Sequence, residues 1–144
     1  MPPAVSLYHN TNTLSPAHLF SQIDARSTTP LYAQIATRIK VAIAAGDLAP
    51  GAGLPSVRQL ASQLRINPAT VVQAYRELET EGFVEMKQGA GTFVRQVPER
   101  RRGDERSQQA QALVKRMLEE AGRLRISPDE LRAALGKLLD GESR

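Results

Sequence analysis

The sequence contains no cysteine and no tryptophan, and aromatic residues make up only 4% of its 144 residues. Without cysteine the chain cannot form disulfides, thiolate zinc sites or a cysteine nucleophile, and this composition is compatible with a reducing compartment. No apolar run approaches the roughly 18 residues that span a membrane. The N-terminus shows no basic region followed by an apolar stretch, so we expect no signal peptide. We therefore expect a cytoplasmic protein with an aliphatic core.

The charged and polar residues show no pattern typical of catalysis. The net charge is +4 and the sequence pI about 9.8, an excess that permits a polyanionic partner without requiring one. His9 and His18 are the only histidines, and neither has close partners at metal-ligand or acid–base spacing, so we interpret them as solvated. No phosphate loop or nucleophile motif is present. We expect no enzyme activity, no cofactor and no metal site.

Residues 56–82 are typical of two helices joined by a tight turn. Ser56 and Gln59 have the spacing of a capping box at the start of the first helix. Asn67 suits the N-cap of the second helix and Pro68 its first turn, while Gly82 marks its end. The apolar residues that share a face are Val57, Leu60, Ala61 and Leu64 in the first helix and Val71, Ala74, Tyr75 and Leu78 in the second. The pattern predicts a helix-turn-helix, whose second helix enters the major groove of DNA.

The outer face of the second helix supports that prediction. Opposite its apolar face lie Ala69, Val72, Gln73 and Arg76, and Asn67 and Thr70 flank its N-terminal end. Glutamine pairs with adenine through two hydrogen bonds, and alanine, valine and the threonine methyl group contact thymine methyl groups. An ordinary amphipathic helix with a solvated face is the alternative. The Asn-Pro start, the capped preceding helix and a following hairpin favour DNA recognition.

A third helix is expected before this motif and a β-hairpin after it. Thr29 is expected to cap the third helix, Pro30 to start it and Gly46 to end it. Its expected core residues are Leu31, Ile35, Ile39, Ala42 and Ile43. Residues 47–55 form a turn-rich link. Two β-prone runs, FVEMK and TFVRQV, flank QGAG and predict a hairpin, or "wing", with Lys87, Gln88 and Gly89 at its tip. A plain structural hairpin is the alternative.

Three sequence blocks carry a family resemblance. GDLAPGAGLPSVRQLASQL, NPATVVQAYRELETEG and GAGTFV resemble, in order and spacing, the winged-helix DNA-binding domain of the GntR family of bacterial transcriptional regulators. The resemblance covers roughly residues 28–97. The lead-in FSQIDARSTTPLY resembles the YtrA subfamily, whose members carry a short helical tail instead of a large ligand-binding domain. The resemblance implies a winged helix that binds DNA.

The resemblance also implies which residues contact DNA. The arginine of the L-P-S-x-R block falls on Arg58, and the other contacts of the family fall on Asn67, Ala69, Thr70, Gln73, Gln88 and Gly89. Arg65 departs from the pattern because similar sequences usually have glycine in this turn. A non-glycine residue at positive φ costs on the order of 1 kcal/mol. Either the turn is strained, or Arg65 offsets that cost by reaching a phosphate.

The remaining residues predict a linker and two tail helices. PERRRGDER is expected to be a charged linker whose arginines either touch phosphate or are solvated. A helix is expected from about residue 104 to 125, and a second begins at Ser127. The heptad-spaced residues of the first are Ala110, Val114, Met117, Ala121 and Leu124, and the apolar face of the second carries Leu131, Leu135, Leu138 and Leu139. Two such helices cannot bury both apolar faces alone, so we expect a second copy of the chain to cover them.

These observations predict a mainly α fold with a small β-wing, in which a winged helix-turn-helix domain precedes a two-helix dimerisation tail. The expected segments are an arm (1–27), the DNA-binding domain (28–97), a linker (98–106) and the tail (107–144). The predicted DNA-binding residues are Arg58, Asn67, Ala69, Thr70, Gln73, Arg76, Lys87, Gln88 and Gly89, and the predicted dimer residues are Val114, Met117, Leu124, Leu135 and Leu138. The predicted function is a homodimeric repressor on an inverted-repeat operator in double-stranded DNA, with a small-molecule effector left open. An activator and a protein-interaction module with only non-specific DNA binding are the alternatives.

Overall fold

The structure, a computed structural model, describes residues 19–21 and 23–142. Within this range the chain forms α1 (Leu31–Ala45), α2 (Val57–Leu64), α3 (Pro68–Thr80), β1 (Val84–Lys87), β2 (Gly91–Val94), α4 (Glu99–Arg123) and α5 (Pro128–Glu142). The predicted mainly α fold with a small hairpin is confirmed. The chain divides into two compact units, with the first ending at Arg106 and the second beginning at Ser107. Most of the predicted arm, including both histidines, lies outside the described residues.

The first unit is built on one apolar core that α1, α2 and α3 enclose, and aromatic side chains join the expected aliphatic ones in it. Its largest fully buried side chains are Tyr75, Phe83, Ile35, Ile39, Leu60, Leu78, Val71 and Val84. Val57 and Leu64 are partly buried and pack against this cluster, as the helical spacing predicted. Leu31, also expected on the core stripe, is only partly buried at the first turn of α1.

The start of α1 corrects one prediction. Pro30, and not Thr29, occupies the N-cap position, and no side chain caps this helix. Thr29 lies one residue before the N-cap position. Its carbonyl oxygen accepts a hydrogen bond from the Gln34 side chain at 2.8 Å. The same side-chain amide bonds the backbone N–H and carbonyl of Asp24, each at 2.8 Å. Gln34 therefore fixes the chain that leads into α1.

The two helices of the motif begin and end as predicted. Ser56 and Gln59 form a reciprocal capping box on α2. Beyond α3, the N–H of Phe83 bonds the carbonyl of Leu78 at 2.9 Å, which is the Schellman pattern. Gly82 permits it with φ 84°, because glycine adopts positive φ without a steric penalty.

The wing is a hairpin, with a shorter loop than predicted. The strands β1 and β2 pair antiparallel from Val84–Val94 to Lys87–Gly91. The loop therefore contains three residues, Gln88 to Ala90, and the predicted four-residue link is wrong. Gly91 belongs to β2 because it pairs with Lys87, a role that a glycine-rich sequence does not reveal.

A third segment joins the wing where the sequence indicated only a link. The N–H groups of Gly51 and Leu54 donate to the carbonyls of Val94 and Thr92, each at 2.8 Å, and Val94 N–H donates to Ala52 at 2.9 Å. Proline and glycine in residues 50–55 are turn signals, yet these bonds use only backbone groups. The segment therefore pairs along the edge of β2 despite its composition.

The predicted linker of residues 98–106 is wrong, because α4 begins at Glu99. Pro98 stands just ahead of the helix, and its carbonyl accepts from the N–H groups of Arg101 and Arg102 at 3.0 and 3.1 Å. A proline at a helix start removes no needed donor. The Arg101 guanidinium lies 4.7 Å from the centroid of the Phe83 ring. A contact of this kind is worth about 0.5–1 kcal/mol, which is similar in size to the roughly 1 kcal/mol cost of a glycine such as Gly103 inside a helix.

The second unit contains the rest of α4 and α5. As predicted, Ser127 opens α5: its N–H donates to the Glu130 carboxylate at 2.8 Å, and the N–H of Glu130 donates to its hydroxyl at 3.2 Å. The hydrogen bond from the backbone of Ser127, and then that from its side chain, lower the pKa of Glu130. Between residues 107 and 141, Ala121 is the one buried residue.

Candidate nucleic-acid interface

The capping box of α2 places Arg58 in the first turn of that helix. The box fixes the backbone of residues 56–59. The hydrogen bonds of Ser56 and Gln59 therefore determine where the Cα–Cβ bond of Arg58 points. Its side chain is exposed. Helix starts are relatively positive, so an arginine at this place gains little from the helix and is free for an anion outside it.

The turn between α2 and α3 contains the departure from the usual glycine. Arg65 has φ 57° and ψ 48°, the left-handed conformation. Its N–H and that of Ile66 close the end of α2 by bonding Ser62 and Ala61 at 3.3 and 3.0 Å. The side chain of Arg65 is exposed. The turn therefore holds a positive charge directly before the second helix.

Asn67 has a double role at the start of α3. Its Oδ1 accepts the N–H of Ala69 at 2.9 Å and thereby caps the helix, with Pro68 in the first turn. The cap occupies the oxygen but leaves the amide NH₂ group as a donor. Asn67 and Ala69 are exposed, and Thr70 is half-buried. These residues present small and polar groups at the N-terminal end of α3, where a DNA groove can approach them.

The outer face of α3 carries the polar groups that the sequence predicted there. Gln73 and Arg76 are exposed and Val72 is half-buried. The opposite face is fully buried through Val71, Ala74, Tyr75 and Leu78. The helix is thus anchored on one side only, and its other side is available to a partner.

Two contacts that the sequence did not indicate hold α3 in place. The Tyr75 hydroxyl donates to the carbonyl of Pro55 at 2.7 Å and so ties α3 to the residue before the α2 cap. Burial raises the pKa of Tyr75 well above its usual range. The Glu79 carboxylate accepts the N–H of Met86 at 2.8 Å and ties α3 to β1. Neither bond could be predicted from the spacing of residues in the sequence, because each joins residues that only the tertiary fold brings together.

The wing tip is exposed and partly ordered by one aromatic ring. The Lys87 ammonium lies 5.3 Å from the centroid of the Phe93 ring and 3.9 Å from a Glu85 carboxylate oxygen. Both partners of that ion pair are more than half exposed, so the pair contributes little energy. Gln88 and Gly89 are exposed at the tip, and Gly89 has φ 80°.

The charge of this surface is positive and largely unpaired. Within the described part of the chain, the guanidinium groups of Arg58, Arg65 and Arg76 make no ion pair. All the predicted DNA-binding residues belong to the first unit. The described residues include no group of three acidic, histidine or cysteine side chains that could hold a metal ion. In the same residues no helix is long and apolar enough to cross a membrane.

The predicted dimer residues all belong to the second unit and are mostly exposed. Leu138 is 70% exposed and Leu124 is 61% exposed, whereas Met117 is half-buried. The exposed apolar residues of this unit are Leu113, Val114, Leu118, Leu124, Ile126, Leu135, Leu138 and Leu139. Leu113 and Leu118 were missed because the heptad pattern selects a single narrow stripe of α4, and Ile126 was missed because it lies between α4 and α5.

Comparison with known proteins gives a consistent result. A family model described as "Bacterial regulatory proteins, gntR family" matches residues 31–94. The chain is 49% identical over 73 residues to the HTH-type transcriptional repressor YtrA of Bacillus subtilis. That match covers 51% of this chain and 56% of the relative, so the chain spans little more than half of that protein's length.

Two solved structures resemble the chain over a longer range. A GntR family transcriptional regulator from Listeria monocytogenes has 31% identity and a TM-score of 0.61, and the match covers 77% of this chain and 96% of that one. YtrA from Sulfolobus acidocaldarius, a GntR-family transcription factor, has 39% identity and a TM-score of 0.50, with 68% and 96% covered.

Proposed function

The chain belongs to the gntR family of bacterial regulatory proteins, and we propose that it is a sequence-specific DNA-binding transcriptional regulator that acts as a homodimeric repressor. The observation that carries this proposal is α3, which is buried on one face and exposes Gln73 and Arg76 on the other. Such a helix, held by contacts behind it, is suited to enter the major groove. A protein that binds chromosomal DNA in a bacterium works in the cytoplasm.

On DNA, α3 reads bases and its neighbours hold the backbone. Gln73 forms two hydrogen bonds with an adenine, and the methyl groups of Ala69 and Thr70 contact thymine methyl groups. Arg58 and Arg76 bind phosphates or guanine edges from either side of the helix. At the wing, Lys87 and Gln88 bind the backbone, and Gly89 lets the loop approach it closely.

The second unit supports dimerisation. Its exposed leucines need a cover, and an identical pair of helices supplies a surface of the same apolar character. A two-fold dimer presents two copies of α3 to an inverted repeat, with half-sites one or more helical turns apart. Family resemblance suggests GT…AC half-sites.

Repression is supported by the named function of a relative. The Bacillus protein that shares 49% identity with this chain is described as a transcriptional repressor. A dimer bound over a promoter excludes polymerase by occupying its site.

Selection of DNA by the purified chain from a random pool, followed by sequencing, tests the proposal. We expect the selection to enrich an inverted repeat. In a gel-shift assay at moderate salt, the chain should still bind this selected DNA in the presence of scrambled competitor DNA. Retention of scrambled and selected DNA with equal affinity would refute sequence-specific recognition and favour a protein-interaction module. In a transcription assay with the selected site, repression predicts less transcript with added protein, and more transcript would show an activator.

A further inference from the structure

A cavity of about 240 Å³ lies beside the end of β2, among residues that the DNA-binding proposal does not use. Ile43 near the end of α1, Leu48 and Val97 give it an apolar wall. Its volume is below the roughly 300–1,000 Å³ typical of pockets that hold drug-sized ligands. Any ligand it accepts is therefore small and has an apolar part.

The same cavity is lined by polar side chains of one charge sign. Arg95, Gln96 and Arg102 also line it, and two of these residues are arginines. The Nε atom of Arg102 is buried and, among the described residues, has no hydrogen-bond partner. A buried donor that lacks an acceptor is costly, so Arg102 gains from any side-chain movement that brings an acceptor to this atom. The missing complement is an anion.

One acidic side chain already competes for Arg102. The Nη2 atom of Arg102 lies 3.0 Å from a carboxylate oxygen of Glu99, whose side chain is 93% exposed. Such an exposed pair is weak. It therefore leaves Arg102 available to a better-placed carboxylate.

We propose that this cavity binds a small amphipathic carboxylate, with the carboxylate on Arg95 and Arg102 and the alkyl part against Ile43, Leu48 and Val97. Guanidinium and carboxylate groups match in a bidentate geometry that charge strengthens. A neutral ligand supplies no counterion to Arg95 and leaves Arg102 with only its weak pair to Glu99. An inorganic anion leaves the apolar wall uncovered.

The site adjoins the end of β2 and the segment of residues 51–54 that pairs with it. Pro50, which lines it, precedes Gly51, and Arg95 follows Val94. The bond from Gly51 N–H to the Val94 carbonyl joins this segment to β2. A ligand between them stabilises the base of the wing and changes DNA affinity, a regulatory role that rests on the proposed function.

Calorimetric titration of the full chain without DNA tests the site directly, with hexanoate as the probe. We expect saturable hexanoate binding and at least about tenfold weaker binding of 1-hexanol and of inorganic phosphate, because each lacks one of the two contacts. Absence of hexanoate binding, or equal binding of phosphate, would overturn the proposal.

Variants locate the binding. Arg95→Gln and Arg102→Gln should each weaken hexanoate about tenfold or more, and Glu99→Gln should strengthen it by removing the competitor. Arg100→Gln is the matched control, since Arg100 is exposed on the same helix and does not line the cavity. Ala49→Leu fills the cavity without removing charge and should abolish binding, with thermal melting to confirm that it folds. Unchanged affinity in both arginine variants would overturn the assignment.

A separate titration with DNA tests the regulatory part. Hexanoate should change operator affinity of the wild type and not of Ala49→Leu. Hexanoate binding without any effect on operator affinity would overturn the regulatory role and leave the site standing. Loss of sequence-specific DNA binding in the unliganded wild type would count against the proposed function alone.

Discussion

Two arginines hold a backbone conformation that favours glycine, and both stand at the end of a helix. Arg65 has φ 57° and Arg125 has φ 59°. In each case the next residue closes a Schellman bond, from Ile66 to Ala61 at 3.0 Å and from Ile126 to Ala121 at 2.8 Å. The left-handed conformation costs an L-residue about 1–2 kcal/mol. Comparing variants of Arg65 and Arg125 therefore distinguishes backbone strain at Arg65 from a contact between its side chain and DNA.

Arg65→Gly should raise the free energy of unfolding by about 0.5–1 kcal/mol, because glycine removes the steric cost but adds freedom to the unfolded chain. Arg125→Gly should do the same in the tail. If Arg65 also binds a phosphate, Arg65→Gly and Arg65→Ala should both weaken DNA binding, whereas Arg125→Gly should not. Urea unfolding and DNA titration measure the two effects. A DNA affinity unchanged in both Arg65 variants would leave strain as the whole explanation.

Arg58→Ala and Gln73→Ala should each weaken operator binding by about 1–3 kcal/mol if they contact bases or phosphates directly. Both side chains are exposed, so thermal stability should barely change. Thr80→Ala, at the exposed C-terminal end of α3, is the control and should leave affinity intact. Gel-shift titration with the selected operator measures the change, and an affinity within error of wild type excludes that residue as a contact.

Tyr75→Phe should lower the free energy of unfolding by about 1–2 kcal/mol, because the Pro55 carbonyl loses its buried donor. Burial raises the pKa of Tyr75, so the folded state keeps this group neutral when the unfolded chain ionises. The contribution of Tyr75 to the free energy of unfolding is complete below the unfolded-state pKa of about 10, and it declines as the pH rises above that value. Urea unfolding across alkaline pH should show this decline in wild type and a smaller one in Tyr75→Phe. Tyr32→Phe is the control, and an equal decline in all three proteins would contradict the argument.

At the scale of elements, the sequence predicted best where the signal is local. The caps at Ser56, Asn67 and Ser127 and the glycine at the end of α3 act within a few residues, so they can be read from spacing. The prediction was wrong where tertiary contacts decide. Gly103 indicated a linker, but α4 runs through it, and Arg101 near the start of the helix packs on the ring of Phe83 from the first unit.

The site followed the same rule. The exposed face of α3 could be predicted because its 3.6-residue period is visible in the sequence. The bonds that fix it, from Tyr75 to Pro55 and from Glu79 to Met86, could not, because each depends on how separate elements meet. The contacts with DNA remain predictions.

The wing is the element whose electrostatic role is most directly measurable. Lys87→Ala should reduce the slope of log affinity against log salt by about one unit if its ammonium meets a phosphate. Lys137→Ala, in the second unit, provides a matched loss of one positive charge and should leave the slope unchanged. DNA titrations at several salt concentrations give both slopes. Equal slopes for Lys87→Ala and wild type would place Lys87 in solvent.

At the scale of the whole molecule, the proposed dimer depends on the exposed leucines of the second unit. Met117 is half-buried within a single chain, so a charge there disturbs the unit itself. Leu138→Glu is the sharper test, because Leu138 is 70% exposed before any partner binds. A buried, unpaired carboxylate is costly, so the dimer should dissociate while the first unit stays folded.

Operator affinity of Leu138→Glu should fall far more than a lost contact explains, because the second half-site no longer binds at high effective concentration. Sedimentation and DNA titration measure both consequences. Ala133→Glu adds the same charge on the opposite face of α5 and should remain dimeric. A Leu138→Glu protein that is dimeric with full affinity would move the dimer contact elsewhere, and residues before Thr28 would be the next candidate.

The pairing of residues 51–54 with β2 has a consequence for how the protein is made. Bonds within α2 and α3 form between near neighbours, but the bond from Gly51 to Val94 closes a loop that contains both helices. Closing such a loop has an entropic cost that must be met before the contact forms, so it comes late in folding. During synthesis on the ribosome, therefore, the first unit cannot complete its folding until β2 has emerged. A chain that ends after α3 lacks the strand with which residues 51–54 pair.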